Sequence, residues 1–182
     1  MHALVLIDIQ TGFDHPAWGP RNNPQAEETA GRLLAHARAQ NWPVFHIRHV
    51  STTPHSPLTG AGLDFKPEVT PLPTETIINK SVNSAFIGTD LEARLRAGAI
   101  TDLVICGLTT PHCVSTTTRM AANLGFGVTV AHDACAAFAT NADATWSALP
   151  APDADTIHAH ALHHLHGEFA SVRATRDILS HD

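Results

Sequence analysis

The stretch Leu103-Val-Ile-Cys-Gly-Leu-Thr-Thr-Pro-His-Cys-Val-Ser-Thr-Thr-Thr118 decides how the rest of the chain is read. Its first four residues are apolar with two β-branched members, the pattern of a buried strand. Gly107 to His112 follow as a turn bearing Gly, Thr and Pro. Val114 to Leu124 then carries helix formers and stops at Gly125. Strand, turn and helix in that order put Cys113 near the first turn of a helix. Free N–H groups and the positive end of the helix dipole lie there, and both favour a thiolate. The other two cysteines lack that setting. Cys106 lies inside the apolar strand and Cys135 in a small-residue turn, and both read as core packing.

Outward from this stretch, apolar strands and helices alternate. His2 to Ile9 is almost continuous Ala, Leu, Val and Ile, broken by Asp8 at the C-terminal end of what reads as a central parallel strand. Residues 14–24 hold three prolines and read as irregular. Glu27 to Gln40 has helical spacing through Ala30, Leu33, Leu34 and Ala37, and Val44 to Ile47 is a second strand. Arg48 to Pro73 is rich in Pro, Thr, Ser, Gly and His, long enough to be the lid or wall of a site. Glu75 to Asn79 reads as a third strand with Lys80 at its end. Thr89 reads as the N-cap of a helix over Asp90–Ala97, with Glu92 closing a capping box. Leu103–Cys106 is the fourth strand and Gly127–Ala131 the fifth, with Asp133–Phe138 as its loop. A helix over Ala154–Leu165 and a sixth strand over Phe169–Val172 complete the pattern. The reading is one α/β domain over residues 1–182 with a mostly parallel sheet and no internal repeat.

Composition excludes several function classes. Of 182 residues 43% are hydrophobic and 15% charged, a globular balance. No apolar run approaches the roughly 20 residues that span a bilayer, and the N-terminus does not read as a signal peptide. Three cysteines without a CxxC point to a reduced, cytoplasmic protein. A net charge of −6 argues against nucleic acid and anionic membrane as partners.

In open parallel sheets ligands bind beyond the carboxyl ends of the strands. Asp8, Lys80 and Cys113 each fall at or just past such an end. Asp8 can take a proton from Cys113 and return it to a leaving amine, while Lys80 stabilises both anions. Ile7-Asp-Ile-Gln10 with Phe13, Lys80 with Ser84-Ala-Phe86, and Gly107-Leu-Thr-Thr-Pro-His-Cys-Val114 with Thr116 together resemble the three signatures of the isochorismatase-like cysteine hydrolases. The match runs in register along nearly the whole chain. It implies a six-stranded parallel sheet with helices on both faces, an Asp8–Lys80–Cys113 triad and a homo-oligomer, dimer or larger. It also implies a cis peptide at Leu108–Thr109, which would bring the Thr109 and Cys113 N–H groups together as an oxyanion hole.

That resemblance implies a cysteine-dependent amidohydrolase acting on a small-molecule amide or cyclic amide, without a cofactor. Metal-bearing relatives carry an Asp-x-His after the second strand. The corresponding segment here, His46-Ile-Arg-His-Val-Ser-Thr-Thr-Pro-His55, has none, and Arg48 would set a cation where a metal should go. A metal-free site is therefore expected. His158, His160, His163, His164 and His166 read as surface histidines of the last helix. Phe13, Trp18, Asn83, Phe86 and His112 come from loops near the three reactive groups and are the candidate substrate contacts. Phe13 and Phe86 suit core packing equally well, and His112 either lines the pocket or packs beneath it. Vinyl-ether hydrolysis of the isochorismatase type, and a non-catalytic binding protein on the same fold, are the alternatives.

Overall fold

A computed structural model of the chain describes residues 1–180. Strand β1 (His2–Ile7) is the centre of the sheet, and Ala3 to Ile7 are buried. A continuous apolar run suits that position, where neighbouring strands cover the edges and helices cover both faces. Strand β1 pairs with β2 (Val44–His49) on one side and β4 (Asp102–Leu108) on the other. With β3 (Thr76–Lys80), β5 (Gly127–Ala136) and β6 (Ser171–Arg173), six strands run parallel in the order β3-β2-β1-β4-β5-β6.

Helix α1 (Ala26–Ala39) leads from β1 outward to β2. Helices α2 (Leu91–Ala97), α3 (Ser115–Asn123) and α4 (Ala154–His163) belong to connections that step the opposite way across the sheet. Right-handed crossovers therefore put α1 on one face and the other three on the opposite face. Helix α5 (Thr175–Leu179) packs beside α1. The direction of winding reverses between β1 and β4, and a crevice opens beyond the carboxyl ends of strands at such a point. Gly107 makes this close pairing possible. It sits opposite Ile7 with φ +124°, and a Cβ there would lie 2.0 Å from the Ile7 carbonyl oxygen.

Several elements differ from the sequence reading. Strand β5 runs on to Ala136 through residues expected to be loop, because a register shift between Ile105 and Gly107 lets Cys135 pair with Gly107. Ala134, Cys135 and Ala136 are poor strand formers, yet each is at most 1% exposed, so tertiary burial overrides propensity. The helix expected from Val114 begins one residue later, after a wide π-type turn over Thr110–Val114. Asp90, not Thr89, precedes α2, and Glu92 pairs with Arg96 one turn on instead of closing a capping box. Strand β6 covers Ser171–Arg173, shifted from the expected Phe169–Val172. The sequence reading has no counterpart of α5, whose first residue Thr175 donates its N–H at 2.8 Å and its hydroxyl at 2.7 Å to Asp133 Oδ1.

The long segment between β2 and β3 forms a wall. Leu58 joins Phe13, Leu108, Ala136 and Phe138 in a second apolar cluster, with Trp18 packed against it. Phe65 bridges to Gln10 by an antiparallel contact. Gly62 lies so close to the chain before it that a Cβ would come within 1.9 Å of the Pro57 carbonyl oxygen. Among the described residues no helix is long and apolar enough to cross a membrane.

Candidate active site

Three strand ends deliver the reactive groups. Asp8 turns out of β1 with φ +51°, a left-handed conformation that Asp tolerates better than most residues. Its N–H still donates to Ile47 O at 3.0 Å, so its backbone is fixed. Lys80 closes β3 opposite His49 of β2, and its carbonyl accepts from Val50 N at 2.8 Å. Cys113 is carried by the wide turn after β4, just past the cis peptide at Leu108–Thr109.

These groups meet on one atom. Lys80 Nζ donates to Asp8 Oδ2 at 2.7 Å and to Cys113 Sγ at 3.3 Å, and lies 2.9 Å from His49 Nδ1. Asp8 and Lys80 side chains are fully buried. Among the described residues Asp8 Oδ1 has no hydrogen-bond partner, and a carboxylate oxygen of Asp8 lies within 4.8 Å of Sγ. One open acceptor thus stands near the thiol.

Burial sets the protonation of this cluster. It pushes the Asp8 carboxyl above its ordinary value, with Lys80 pulling it partly back. Burial and the Asp8 charge push the Cys113 thiol up to about 12, against Lys80. Desolvation thus opposes the helix position and Lys80, both of which favour the thiolate. Burial, then the Lys80 charge, lowers His49 to about 4, so its imidazole is neutral.

A cavity of about 120 Å³ opens over Cys113. Of the expected contacts Phe13, Trp18, Asn83 and His112 line it, together with Thr109. Asn83 Oδ1 is 3.8 Å from Sγ, and the Trp18 indole N–H is tied back to Gly12 O at 2.9 Å. Phe86 does not line it. Its ring stacks on Phe126 at 6.1 Å and packs against the main core, the alternative that its apolar character left open. Leu58, from the 48–73 loop expected to close over substrate or lie across a neighbouring subunit, also lines the cavity, as do His49 and Asn141, which the sequence reading did not place there. His49 carried a usable signal, since it ends β2 as Lys80 ends β3. Asn141 comes from an irregular segment and carried none.

Arg48 is not at this site. It donates to Asn79 Oδ1 at 2.8 Å and lies over the Phe65 ring. Asp8, His49 and Cys113 form the one cluster of metal-ligating type among the described residues. Lys80 Nζ contacts all three, so a metal ion there would have to displace a buried ammonium. The cluster does not fit a metal. The expectation of surface histidines on α4 needs one correction. His158 is buried, its Nδ1 2.8 Å from Thr110 Oγ1, and burial, with His132 nearby, lowers it to about 4.

A family model described as the isochorismatase domain matches residues 2–177. The chain belongs to the isochorismatase family. It is 45% identical over 181 residues to the isochorismatase family protein YrdC of Bacillus subtilis (strain 168), covering 98% of this chain and 94% of that one. Streptothricin hydrolase of Streptomyces noursei is 33% identical over 166 residues, which are 86% of this chain and 55% of the longer enzyme. The crystal structure of an isochorismatase-family protein from Chromobacterium violaceum ATCC 12472 superposes with TM-score 0.91 at 47% identity, covering 98% of this chain and 91% of that one. Fold and hydrolase class are those of the isochorismatase family.

Proposed function

We propose that this isochorismatase-family hydrolase cleaves the C–N bond of a small neutral amide or cyclic amide through a Cys113 thioester, without a metal. The observation that carries the reading is the Lys80 ammonium shared between Asp8 Oδ2 and Cys113 Sγ beneath the cavity. No arginine, free lysine or acid lines that cavity, which favours an uncharged substrate. Its volume is about 120 Å³. It accepts a small molecule or the reacting end of a larger one.

In the first step the Cys113 thiol proton passes to Asp8 and the S–C bond forms. The carbonyl electrons move to oxygen, where the Thr109 and Cys113 N–H groups supply an oxyanion hole. Burial serves this step: an Asp8 carboxyl already raised by desolvation is a better base than an exposed one. Asp8 next gives its proton to the departing nitrogen as the C–N bond breaks. It then takes a proton from water, which attacks the thioester, releasing the acid and restoring the thiol. Lys80 holds Asp8 in place and offsets negative charge on Asp8 and sulfur in turn.

The test is a panel of neutral primary amides and lactams, followed by ammonia release and by mass of the ring-opened acid. Turnover should survive a chelator and vanish in Cys113→Ala. Full turnover in Cys113→Ala, or loss of activity with the chelator, would overturn the reading.

A further inference from the structure

An ammonium has three N–H bonds, and Lys80 has three acceptors. Two are Asp8 Oδ2 at 2.7 Å and Cys113 Sγ at 3.3 Å. The third is His49 Nδ1 at 2.9 Å. An imidazole nitrogen that accepts from an ammonium must carry a lone pair, which assigns the ring proton to Nε2. The ring stands in the wall of the cavity beside Cys113.

His49 is itself held with unusual care. Gln10 is fully buried just past β1 and grips the His49 backbone from both sides. Its Oε1 accepts from His49 N at 2.7 Å, and its Nε2 donates to His49 O at 3.1 Å. Strand pairing sets His49 opposite Lys80. A residue needed merely to fill space would not require both carbonyl and amide to be clamped by one side chain.

We propose that His49 is a positioning residue whose Nδ1 accepts the third Lys80 N–H and so keeps the ammonium aimed at Cys113 Sγ, with Gln10 as the clamp that holds His49 in place. Without that acceptor a buried N–H is left unpaired, and the ammonium reorients toward Asp8 and away from sulfur. The thiolate then loses the cation that stabilises it. The titratable groups around Sγ are Asp8 from the end of β1, His49 from β2, Lys80 from β3 and His112 from the nucleophile's own turn.

The inference rests on Cys113 being the nucleophile, and its test needs no turnover. The rate of Cys113 alkylation by iodoacetamide is followed against pH by peptide mass spectrometry. In His49→Leu the profile should move to higher pH, slowing alkylation at pH 8 by about tenfold, the effect of one unit in thiol pKa. His49→Asn returns an acceptor close to the Nδ1 position and should stay within about twofold of the parent, since it restores the same hydrogen bond. In a Lys80→Met background His49→Leu should add nothing. Equal profiles for His49→Leu and the parent, or an equal loss in His49→Asn, would overturn the proposal. Should His49→Leu fail to fold, nitrogen-15 NMR of the unmutated protein decides. A neutral ring protonated on Nε2 at pH 7 supports the proposal, and a charged ring or one protonated on Nδ1 overturns it. Alkylation as expected with no amide turned over would sink the amidase reading and leave this one standing.

Discussion

The chain has two lysines, and both are buried against carboxylates. Lys66 reaches Asp14 at 2.6 Å and Glu27 at 2.9 Å, and Glu27 is gripped a second time by Arg21 at 2.7 Å. Lys80 reaches Asp8 at 2.7 Å, but Asp8 has no second cation and its Oδ1 is unpaired. Burial pushes both carboxyls up. For Glu27 two cations more than reverse the push, and the acid stays ionised below its ordinary range. For Asp8 one cation does not suffice, and the acid stays above its range. A doubly paired carboxylate straps the 48–73 wall to α1. A singly paired one is left able to accept a proton.

The largest expected effect separates the two lysines by function. On the proposed mechanism Lys80→Met should lower turnover of an amide substrate by at least about 1,000-fold, since base, nucleophile and oxyanion would all lose its charge. Lys66→Met should leave Cys113 alkylation at pH 8 within about threefold of the parent, because its partners Asp14 and Glu27 lie outside the cavity. A collapse of both would mean that the strap and the site are one unit.

The carboxylates should divide the other way in stability. Glu27→Gln leaves Lys66 and Arg21 without their shared anion, at a cost of about 2–3 kcal/mol in urea unfolding at pH 7. The sign follows from its lowered pKa: Glu27 adds stability above pH 4.5 that is lost as pH falls through its native value. Asp8 has the opposite sign, because a raised carboxyl opposes folding once ionised. Asp8→Asn should therefore change stability by no more than about 1 kcal/mol while abolishing turnover. An Asp8→Asn protein as unstable as Glu27→Gln would show that the two pairs do the same job.

The same contrast governs what was legible in the sequence. Strand ends are legible, because an apolar run fixes the strand and the residue after it must face the crevice. Asp8, Lys80 and Cys113 were reached by that rule, and His49 obeys it too. The cavity rim is set otherwise. Leu58 reaches the site because Gly62 lets the segment fold back on Pro57, a contact between residues with no periodicity. Asn141 arrives on a short turn after Phe138 in the same way. The balance of effects on the Cys113 thiol is less legible for a related reason. Helix position and a nearby lysine can be read from order along the chain, but depth of burial depends on every element packed above.

Buried thiols give a smaller, graded effect. Burial raises Cys113 and Cys135 to about 12 and Cys106 well above 9. In the unfolded chain each releases its proton near pH 9. The native state thus holds more protons above that pH, and stability falls as pH rises, by at most about 1.4 kcal/mol per unit for each thiol. Urea midpoints between pH 8 and 10.5 measure the slope. Cys113→Ala should flatten it by about a third, and an unchanged slope would mean that Cys113 is less enclosed than Cys106 and Cys135.

The smallest effect tests whether burial, not pairing as such, separates these clusters. Glu92 and Arg96 pair at 3.2 Å on α2, with side chains 44% and 51% exposed. Solvent already satisfies both ends, so Glu92→Ala should cost no more than about 0.5 kcal/mol and leave Cys113 alkylation unchanged. Arg96 keeps its contacts to Leu124 O and to the Phe126 ring, so the helix stays docked when the carboxylate is gone. A cost near that of Glu27→Gln would imply that charge pairs count alike wherever they lie, and the distinction drawn between Glu27 and Asp8 would lose its physical basis.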